Sequence, residues 1–435
     1  RDYIFSTIKS NFKKFGFQPI ETPSFELSET LLGKYGEEGD RLIFKILNSG
    51  DKVKKVDLQA LKDGNLARFS NSLTEKALRY DLTVPFARYV AQYQNDIVFP
   101  FKRYQIQPVW RADRPQKGRF QEFFQCDADV VGSKSLWQEV EFIQLYDAVF
   151  SDLKLSGVTI KINNRKILAG IAELIGAQDK LIDFTVALDK LDKIGEAKVI
   201  EEMLNKGIPA EGISKLMPLF NLNGTINEQL QLLKGLLNSS VEGVKGVEEI
   251  EFIASSVASV GLRTAFLQMD VTLARGLDYY TGAIFEVSAP VSEQMGSIGG
   301  GGRYDDLTGI FGLKNVSGVG ISFGLDRIYL VLQKLNLFPL NKTESTKVLF
   351  INFGNKESLF CLKAIALLRS KSIITELYPD PVKLKKQMTY CNKRQIPYIV
   401  MVGASEIAQN KYLFKDMSSG EQQLLSLEQL TEKIF

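Results

Sequence analysis

The 435-residue chain contains no histidine. Ser-His-Asp hydrolases, papain-like proteases, HExxH metalloproteases and zinc enzymes with histidine ligands all require that residue, so the sequence excludes these classes. Any enzymatic chemistry must therefore depend on arginine, lysine, carboxylates, tyrosine, backbone amides or a bound ion.

Cysteine is almost as scarce, because Cys126, Cys361 and Cys391 lie far apart and form no Cys-x-x-Cys pair. This spacing excludes a disulfide framework and a zinc finger. The longest apolar runs are too short to span a membrane, and the N-terminal RDYIFSTIKS does not have the pattern of a signal peptide. We therefore expect a cytoplasmic protein with no membrane association.

Charge of either sign is not in excess, since 54 basic and 51 acidic residues leave a net charge of +3. This balance neither requires a polyanionic partner nor excludes one, because a basic face can lie within a near-neutral total. The length and the 45% hydrophobic content predict a globular protein of two or three domains.

The pattern of elements divides the chain into three parts. Residues 1–163 and 261–335 carry most of the strand signals and predict one antiparallel sheet domain. Residues 164–260 lose strand character and predict an inserted helical module. Residues 346–435 alternate strand and helix, which predicts a compact parallel α/β domain.

Within the first part, Pro19 and Pro23 predict an edge strand, because proline cannot donate to a central ladder. Short antiparallel strands are expected at 42–46 and 68–81. The other predicted elements are helices at 3–15 and 136–153 and strands at 98–110, 120–131, 158–163, 283–287 and 318–323.

The tip of the predicted hairpin carries four cations, which are Arg111, Arg114, Lys117 and Arg119. Such a loop becomes a productive site when an anion bridges the cations, and the planar guanidinium suits phosphate oxygens. A solvated basic turn is the alternative.

On the returning strand, period-two alternation places Phe123 and Gln125 on one face, with Asp127 and Asp129 following on the same face. An aromatic ring beside arginines is suited to stacking on the base of a nucleotide. Buried carboxylates need a cation. They therefore indicate either a site for a substrate ammonium or imidazole, or an ion pair with a nearby basic residue.

Four further segments are candidates for a functional site. In LRYDLTVP, Arg79, Asp81 and Thr83 form an alternating polar row. The spacing supports a functional role and a structural role for this row equally. LARGLDYYTG contains Arg275, Tyr279 and Tyr280, and its composition suits a small polar ligand. In GGGGRYD, the glycines allow a ligand to approach the backbone closely. GVGISFGLDR places Arg327 in the first turn of a helix, where a cation needs a nearby anion.

These segments together resemble a known family. RAD-RPQKGRFQEFFQ and GVGISFGLDRIYL resemble motifs 2 and 3 of the class II aminoacyl-tRNA synthetases, and FGFQPIETPSFE takes the place of motif 1. LARGLDYYTG, GGGGRYDDL and LRYDLTVPFARYVA resemble signatures of the histidyl-tRNA synthetase family. The resemblance covers nearly the whole chain, and it implies an α+β catalytic core on an antiparallel sheet, a helical insertion and a C-terminal α/β domain that binds the anticodon.

The resemblance also implies roles for single residues. Arg111, Arg275 and Arg327 would be the catalytic cations, with Arg111 and Arg275 on either side of the ATP α-phosphate. Arg119 and Arg327 would hold the β- and γ-phosphates, and Phe123 would stack on adenine. The implied histidine-binding residues are Asp81, Thr83, Arg111, Gln125, Asp129, Arg275, Tyr279, Tyr280 and Tyr304.

The implied substrates are L-histidine, ATP with Mg²⁺ and tRNA(His), with no metal held tightly by the protein. The implied assembly is a homodimer through the motif 1 region. Two alternatives stay open at this point. One is a non-catalytic synthetase-like regulatory subunit of ATP phosphoribosyltransferase, and the other is a class II synthetase for threonine, proline or glycine.

Overall fold

The computed structural model describes residues 1–116, 118–188, 190–220, 222–274, 279–290, 296–339 and 345–434. The chain forms two compact units, Arg1–Phe338 and Pro339–Phe435. In the part of the chain that the structure describes, no helix combines the length and apolar composition that a bilayer crossing requires.

The strands, numbered in chain order, belong to three sheets. They are β1 Gln18–Pro19, β2 Phe25–Leu27, β3 Lys45–Ile46, β4 Lys76–Leu78, β5 Phe101–Trp110, β6 Glu122–Val131, β7 Thr159–Asn164, β8 Phe266–Met269, β9 Ala283–Ser288, β10 Ser297–Tyr304, β11 Gly318–Gly324, β12 Val348–Phe350, β13 Thr375–Leu377, β14 Tyr398–Met401, β15 Tyr412–Asp416 and β16 Gln422–Leu425.

The α-helices are likewise numbered in chain order, and short 3₁₀ turns lie between some of them. They are α1 Asp2–Lys14, α2 Ser28–Leu31, α3 Gly36–Arg41, α4 Leu58–Lys62, α5 Leu66–Leu73, α6 Thr83–Gln92, α7 Trp137–Asp152, α8 Arg165–Leu174, α9 Leu181–Leu188, α10 Leu191–Ile194, α11 Glu196–Asn205, α12 Ala210–Phe220, α13 Ile226–Leu236, α14 Val241–Val260, α15 Leu325–Lys334, α16 Asn355–Ser370, α17 Leu384–Lys393, α18 Ala404–Ala408 and α19 Leu427–Ile434.

The first unit is built on an eight-stranded sheet with the order β1-β5-β6-β11-β10-β9-β7-β8. Its centre is antiparallel, whereas β1 and β8 at the two edges pair in parallel with their neighbours. Pro19 lies in the edge strand β1, which confirms the prediction, because its missing N–H costs nothing on an open edge. Helices α1 and α7 supply buried side chains to the core of this unit.

Helices α8 to α14 lie between β7 and β8 in the sequence, as the loss of strand character in this segment predicts. Their buried faces contribute to the same hydrophobic core as the sheet. Close packing of α8 and α14 depends on Gly170, because a Cβ there would lie 2.6 Å from the Cα of Gly243.

The second unit holds a five-stranded sheet with the order β13-β12-β14-β15-β16. Its first three strands are parallel, as the alternation of strand and helix predicts. Strands β15 and β16 are antiparallel, however, so the expectation of a purely parallel unit is corrected to a mixed sheet. Alternate residues of β12 point to two hydrophobic clusters, one shared with α16 and α19 and one with α17, so helices cover both faces.

Two further sequence expectations are wrong. Residues 68–73, predicted as strand, belong to helix α5, because the Asn65 side chain caps its N-terminus by accepting from the N–H of Arg68. Thr83 does not continue an extended polar row but begins α6. The side chain of Asp81 accepts from the N–H of Val84 at 3.2 Å, which stabilises that helix start.

The glycine cluster, which lies between the predicted strands 283–287 and 318–323, forms a strand of its own. Residues Ser297–Tyr304 form β10, which pairs with both β9 and β11 in the middle of the large sheet. Glycine is needed here for close packing: a Cβ on Gly301 would collide with the carbonyl oxygen of Gly320, and one on Gly302 would lie 2.7 Å from the ring of Tyr280.

Candidate active site

A cavity of about 520 Å³ lies over strands β6, β10 and β11 of the large sheet. Its wall contains eleven of the twelve residues that the sequence predicts for the site, and the twelfth, Arg275, lies outside the described residues. The eleven are Asp81, Thr83, Arg111, Arg119, Phe123, Gln125, Asp129, Tyr279, Tyr280, Tyr304 and Arg327.

Strand β6 forms one wall of the cavity and runs along its length. Phe123, Gln125, Asp127 and Asp129 all line the cavity, as the period-two alternation predicts. The alternate residue Phe124 packs instead against Phe5, with ring centroids 5.2 Å apart. Because each residue advances the strand by about 3.3 Å, Phe123 and Asp129 are separated by about 20 Å along β6.

One end of the cavity is acidic and buried. Asp81, Asp127 and Asp129 lie here, and each is at most 3% exposed. Asp81 accepts hydrogen bonds from the hydroxyls of Tyr35 at 2.8 Å and Tyr279 at 3.1 Å. Burial raises the pKa of Asp81, and these hydrogen bonds oppose that rise.

Asp129 is held by two partners on neighbouring strands. It forms an ion pair of 2.8 Å with the fully buried Arg103 and accepts from the hydroxyl of Tyr304 at 2.5 Å. Arg103 on β5 lies directly opposite Asp129 in the strand register, which explains the pairing. Burial raises the pKa of Asp129, and the charge of Arg103 opposes that rise. The sequence left two roles open for Asp127 and Asp129, a ligand site or an ion pair with a basic residue. The structure shows the ion pair for Asp129, and it lies in the wall of the cavity.

The other end of the cavity is cationic. The Nε of Arg111 donates to the carbonyl oxygen of Tyr80 at 3.1 Å, and its guanidinium lies 4.2 Å from the centre of the Tyr80 ring and 5.2 Å from that of Phe123. One backbone hydrogen bond and two aromatic rings thus fix its position. A guanidinium carries five N–H donors, so this arrangement leaves donors for an anion.

Arg327 and Arg119 complete the cationic end. Arg327 donates to the carbonyl oxygens of Gly118 at 3.0 Å and Ser297 at 2.7 Å. Burial lowers the pKa of Arg327, and the positive charges of Arg119 and Arg111 add to that effect. Like charges gathered on one side of a cavity favour the binding of an anion.

The floor of the cavity between the two ends is backbone. Gly299, Gly300 and Gly301 of β10 and Gly320 of β11 line it, together with Ser322. Because these glycines expose no side chain, a ligand can lie directly on the peptide groups of the sheet.

Arg79, which the sequence left equally open between function and structure, is structural. Its guanidinium is fully buried and donates to the carbonyl oxygens of Thr22, Pro23 and Pro108, which ties the segment after β1 to strand β5. Arg303 of the glycine cluster is also structural, since it forms a two-pronged ion pair with Glu139 at 2.5 and 2.7 Å.

Sequence reasoning missed Arg103 and Tyr35, which hold Asp129 and Asp81 in place. Arg103 carries a signal that was readable, because it is a charged residue within the otherwise uncharged run RYQIQPVW of a predicted strand. Tyr35 carries none, since it lies outside every motif. Among the described residues there is no group of three or more Cys, Asp or Glu side chains arranged to hold a metal ion.

Comparison with known proteins gives two family matches. The family model for histidyl-tRNA synthetase matches residues 62–328, and the model for an anticodon binding domain matches residues 347–434.

The histidine–tRNA ligase of Christiangramia forsetii is 67% identical over 431 residues, which cover 99% of this chain and 94% of that protein. The enzyme of the same name from Flavobacterium johnsoniae is 63% identical over 453 residues, covering 100% of this chain and 95% of that protein. The crystal structure of histidyl-tRNA synthetase from Nostoc sp. PCC 7120 matches with a TM-score of 0.78 at 31% identity, covering 99% of this chain and 94% of that one.

Proposed function

This chain belongs to the histidyl-tRNA synthetase family, and we propose that its cavity is the place where histidine and ATP react. The chain has the class II synthetase fold and is an ATP-dependent ligase that charges tRNA(His) with histidine. The two alternatives, a regulatory subunit and a ligase for another amino acid, are not supported, because the relatives at 67% and 63% identity are histidine–tRNA ligases. The observation that carries the assignment is the opposite charge at the two ends of one cavity.

The acidic end is the histidine pocket in this proposal. Asp81, Thr83, Gln125 and Asp129 supply its polar groups, and Tyr279, Tyr280 and Tyr304 close it. A site that pairs each polar atom of its ligand rejects analogues strongly, because a wrong ligand leaves buried groups without partners. The buried hydrogen bonds of Asp81 and Asp129 support this role, since they fix both carboxylates before the ligand arrives.

The cationic end binds ATP. Phe123 stacks on adenine, while Arg111 contacts the α-phosphate and the histidine carboxylate. Arg119 and Arg327 hold the β- and γ-phosphates. The rings on either side of Arg111 support its role, because a fixed guanidinium does not have to reorganise as charge develops.

The reaction follows from this placement. A carboxylate oxygen of histidine attacks the α-phosphorus, the bond from that phosphorus to the bridging oxygen breaks, and pyrophosphate leaves with both electrons. Negative charge grows on the non-bridging oxygens, where Arg111 stabilises it. The hydroxyl at the 3′ end of the tRNA then attacks the carbonyl carbon of the adenylate, and AMP leaves. No step needs a histidine side chain from the protein.

Arg275 has the role that the family implies, which is a second cation on the α-phosphate opposite Arg111. It lies outside the described residues, so the sequence alone supports it. Mg²⁺ enters with ATP as part of the substrate.

The proposal extends to the architecture of the protein. Residues 1–163 and 261–335 form the catalytic core, and residues 164–260 are a helical insertion. Residues 346–435 bind the anticodon. The motif 1 region around β1 and β2 forms the homodimer contact, and the protein works in the cytoplasm, where its substrates are.

Pyrophosphate exchange tests the assignment of the reaction. The full chain should exchange labelled pyrophosphate into ATP only when L-histidine is present among the twenty amino acids. Equal exchange with threonine or proline, or none with histidine, would overturn it.

The basic residues of α17 test the role of the second unit. Lys385 and Lys386 are exposed there, and replacing both by Glu should raise the KM for tRNA(His) by about tenfold, because each phosphate contact contributes to affinity. Histidine-dependent pyrophosphate exchange should not change. The matched control replaces Lys356 and Lys363, exposed on α16, and equal effects of the two pairs would contradict the assignment.

A further inference from the structure

Two buried acceptors of residues that line the cavity have neither a hydrogen-bond partner nor an ion-pair partner among the described residues. They are the Oδ1 of Asp127 and the Oε1 of Gln125. The Oδ2 of Asp129 likewise has no hydrogen-bond partner among the described residues, but it lies 2.8 Å from the guanidinium of Arg103 in an ion pair. Asp127 is only 3% exposed, so bulk water does not solvate its carboxylate. Both side chains line the cavity from the same face of β6, about 7 Å apart along the strand. A buried acceptor without a donor costs about 1–3 kcal/mol, so a cavity that retains two of them is built to meet donors from a ligand.

The other two carboxylates of the acidic end differ from Asp127. Asp81 is bonded to Tyr35 and Tyr279, and Asp129 to Arg103 and Tyr304. Both oxygens of Asp129 lie beside a protein donor, one in a hydrogen bond with Tyr304 and one in the ion pair with Arg103. The Oδ1 of Asp127, on a residue that lines the cavity, has no such neighbour among the described residues. Within this cluster, Asp127 is therefore the carboxylate that most needs a cation.

The charges around Asp127 lead to the same conclusion. Arg103 is the described cation that stabilises its charge most, and Asp129 already shares that cation. Arg79 also interacts with Asp127, since the charge of Asp127 raises the pKa of Arg79, but the guanidinium of Arg79 donates to backbone carbonyls. Burial is the main reason that the pKa of Asp127 rises to about 7, and the neighbouring charges of Asp129 and Asp81 raise it further. Arg103 and a hydrogen bond with Ser322 oppose the rise. The other titratable groups at this end include the phenols Tyr35, Tyr279, Tyr280 and Tyr304.

We propose that Asp127 binds the α-ammonium group of histidine, with the Oε1 of Gln125 as a second acceptor. This inference rests on the proposed function of the cavity. It adds Asp127 to the histidine-binding residues, a role that the family resemblance does not imply. An ammonium group fits because it supplies both a charge for the carboxylate and several N–H donors for two acceptors.

A consequence for protons follows. In the free protein near neutral pH, Asp127 is partly protonated, because its pKa lies at about 7. A docked ammonium stabilises the carboxylate and lowers that pKa, so binding expels the carboxyl proton to solvent while the ammonium keeps its own protons. Histidine binding should therefore release up to about half a proton near pH 7 and should weaken as the pH falls below that value.

Calorimetric titration of the full chain with L-histidine, in buffers of different ionisation enthalpy, measures both effects. The wild type should release protons at about pH 7, and Asp127→Asn should release almost none. Asp127→Asn should also bind L-histidine about 10- to 100-fold more weakly. Asp306→Asn removes an exposed carboxylate of the same unit and should match the wild type in both measurements.

A ligand without the amine separates this role from misfolding. The probe is 3-(imidazol-4-yl)propionate, which keeps the ring and the carboxylate but lacks the ammonium. It should bind the wild type and Asp127→Asn with nearly equal affinity, because the group that Asp127 contacts is missing. An equal loss of affinity for both ligands would mean that Asp127 only supports the pocket and would overturn the inference.

Two other outcomes have distinct meanings. If Asp127→Asn binds L-histidine as the wild type does and releases the same number of protons, the inference is wrong while the proposed function stands. If the wild type itself does not bind L-histidine, the proposed function fails and the inference fails with it.

Discussion

The two ends of the cavity carry opposite charge and are built by different means. At the acidic end, Asp81 and Asp129 are bonded to side chains from other elements and are almost completely buried. At the cationic end, Arg111 and Arg327 donate to backbone carbonyls. The side chain of Arg119 is 46% exposed, and its ion pair with Asp113 is loose, at 3.8 Å.

The difference follows from what each end must recognise. A small amino acid offers few atoms, so discrimination requires polar groups that are fixed, dry and complementary to those atoms. A triphosphate offers high charge, which arginines on a partly open surface recognise without burial. Burial is costly for the acidic end, where Asp127 and Asp129 depend on the charge of Arg103. Asp81 depends on its hydrogen bonds and on the charge of Arg111. The cationic end carries a smaller cost, because Arg119 is exposed and Arg111 and Arg327 are only half-buried, although burial still lowers the pKa of Arg327.

The largest expected effect concerns the acidic end. Replacing Arg103 by Met should lower the free energy of unfolding by about 3–5 kcal/mol, because Asp129 and Asp127 would be left buried without a cation. Chemical denaturation measures this loss. Arg263→Met is the control, since the Arg263 side chain is 67% exposed and lies 3.6 Å from Asp152. Equal stability of the two variants would show that the acidic end does not depend on its ion pair.

The second prediction concerns the cationic end. Arg111→Ala should slow histidine-dependent pyrophosphate exchange by about 100- to 1,000-fold, as expected for the loss of one fixed donor to the transition state. Its melting temperature should change little, in contrast to Arg103→Met. Arg68→Ala removes an arginine that is 70% exposed on α5 and should leave the rate unchanged. A large loss of stability with little loss of rate would reverse the roles of the two ends.

The third and smallest effect concerns the floor that both ends share. Gly301→Ala should cost about 1–3 kcal/mol of unfolding free energy, because its Cβ would be forced against the backbone of β11. The Michaelis constants for histidine and for ATP should rise together. In Gly309→Ala the added Cβ meets nothing within 4 Å, so that variant should behave as the wild type. A change in only one Michaelis constant would mean that the floor belongs to one end.

The elements that the sequence predicted best are those with strong local signals. The β5–β6 hairpin follows from alternating strands around a turn that contains proline and glycine, and the cavity-facing row on β6 follows from the same alternation. Helix α5 was missed although Asn65 marks its N-cap, because a short amphipathic run can be interpreted as strand or helix. Thr83 was misplaced, although Asp81 and a following proline mark the start of a helix.

Other features depend on contacts that one sequence does not contain. Strand β10 was missed because glycine disfavours strands, and the reason for glycine lies in the neighbouring strand β11. The pairing of Arg103 with Asp129 depends on the register of β5 against β6, which the turn sequence did not reveal. The side chains that make Asp81 and Asp129 rigid were therefore visible only in three dimensions.

The division of the cavity into two ends is tested most directly on strand β6, where Phe123 and Gln125 are neighbours on one face. The measurement is the pair of Michaelis constants, for ATP and for histidine, in the pyrophosphate exchange of Phe123→Leu and Gln125→Met. The account predicts that Phe123→Leu raises only the constant for ATP and that Gln125→Met raises only the constant for histidine. If each variant raises both constants equally, the two ends do not bind different substrates, and the account is contradicted.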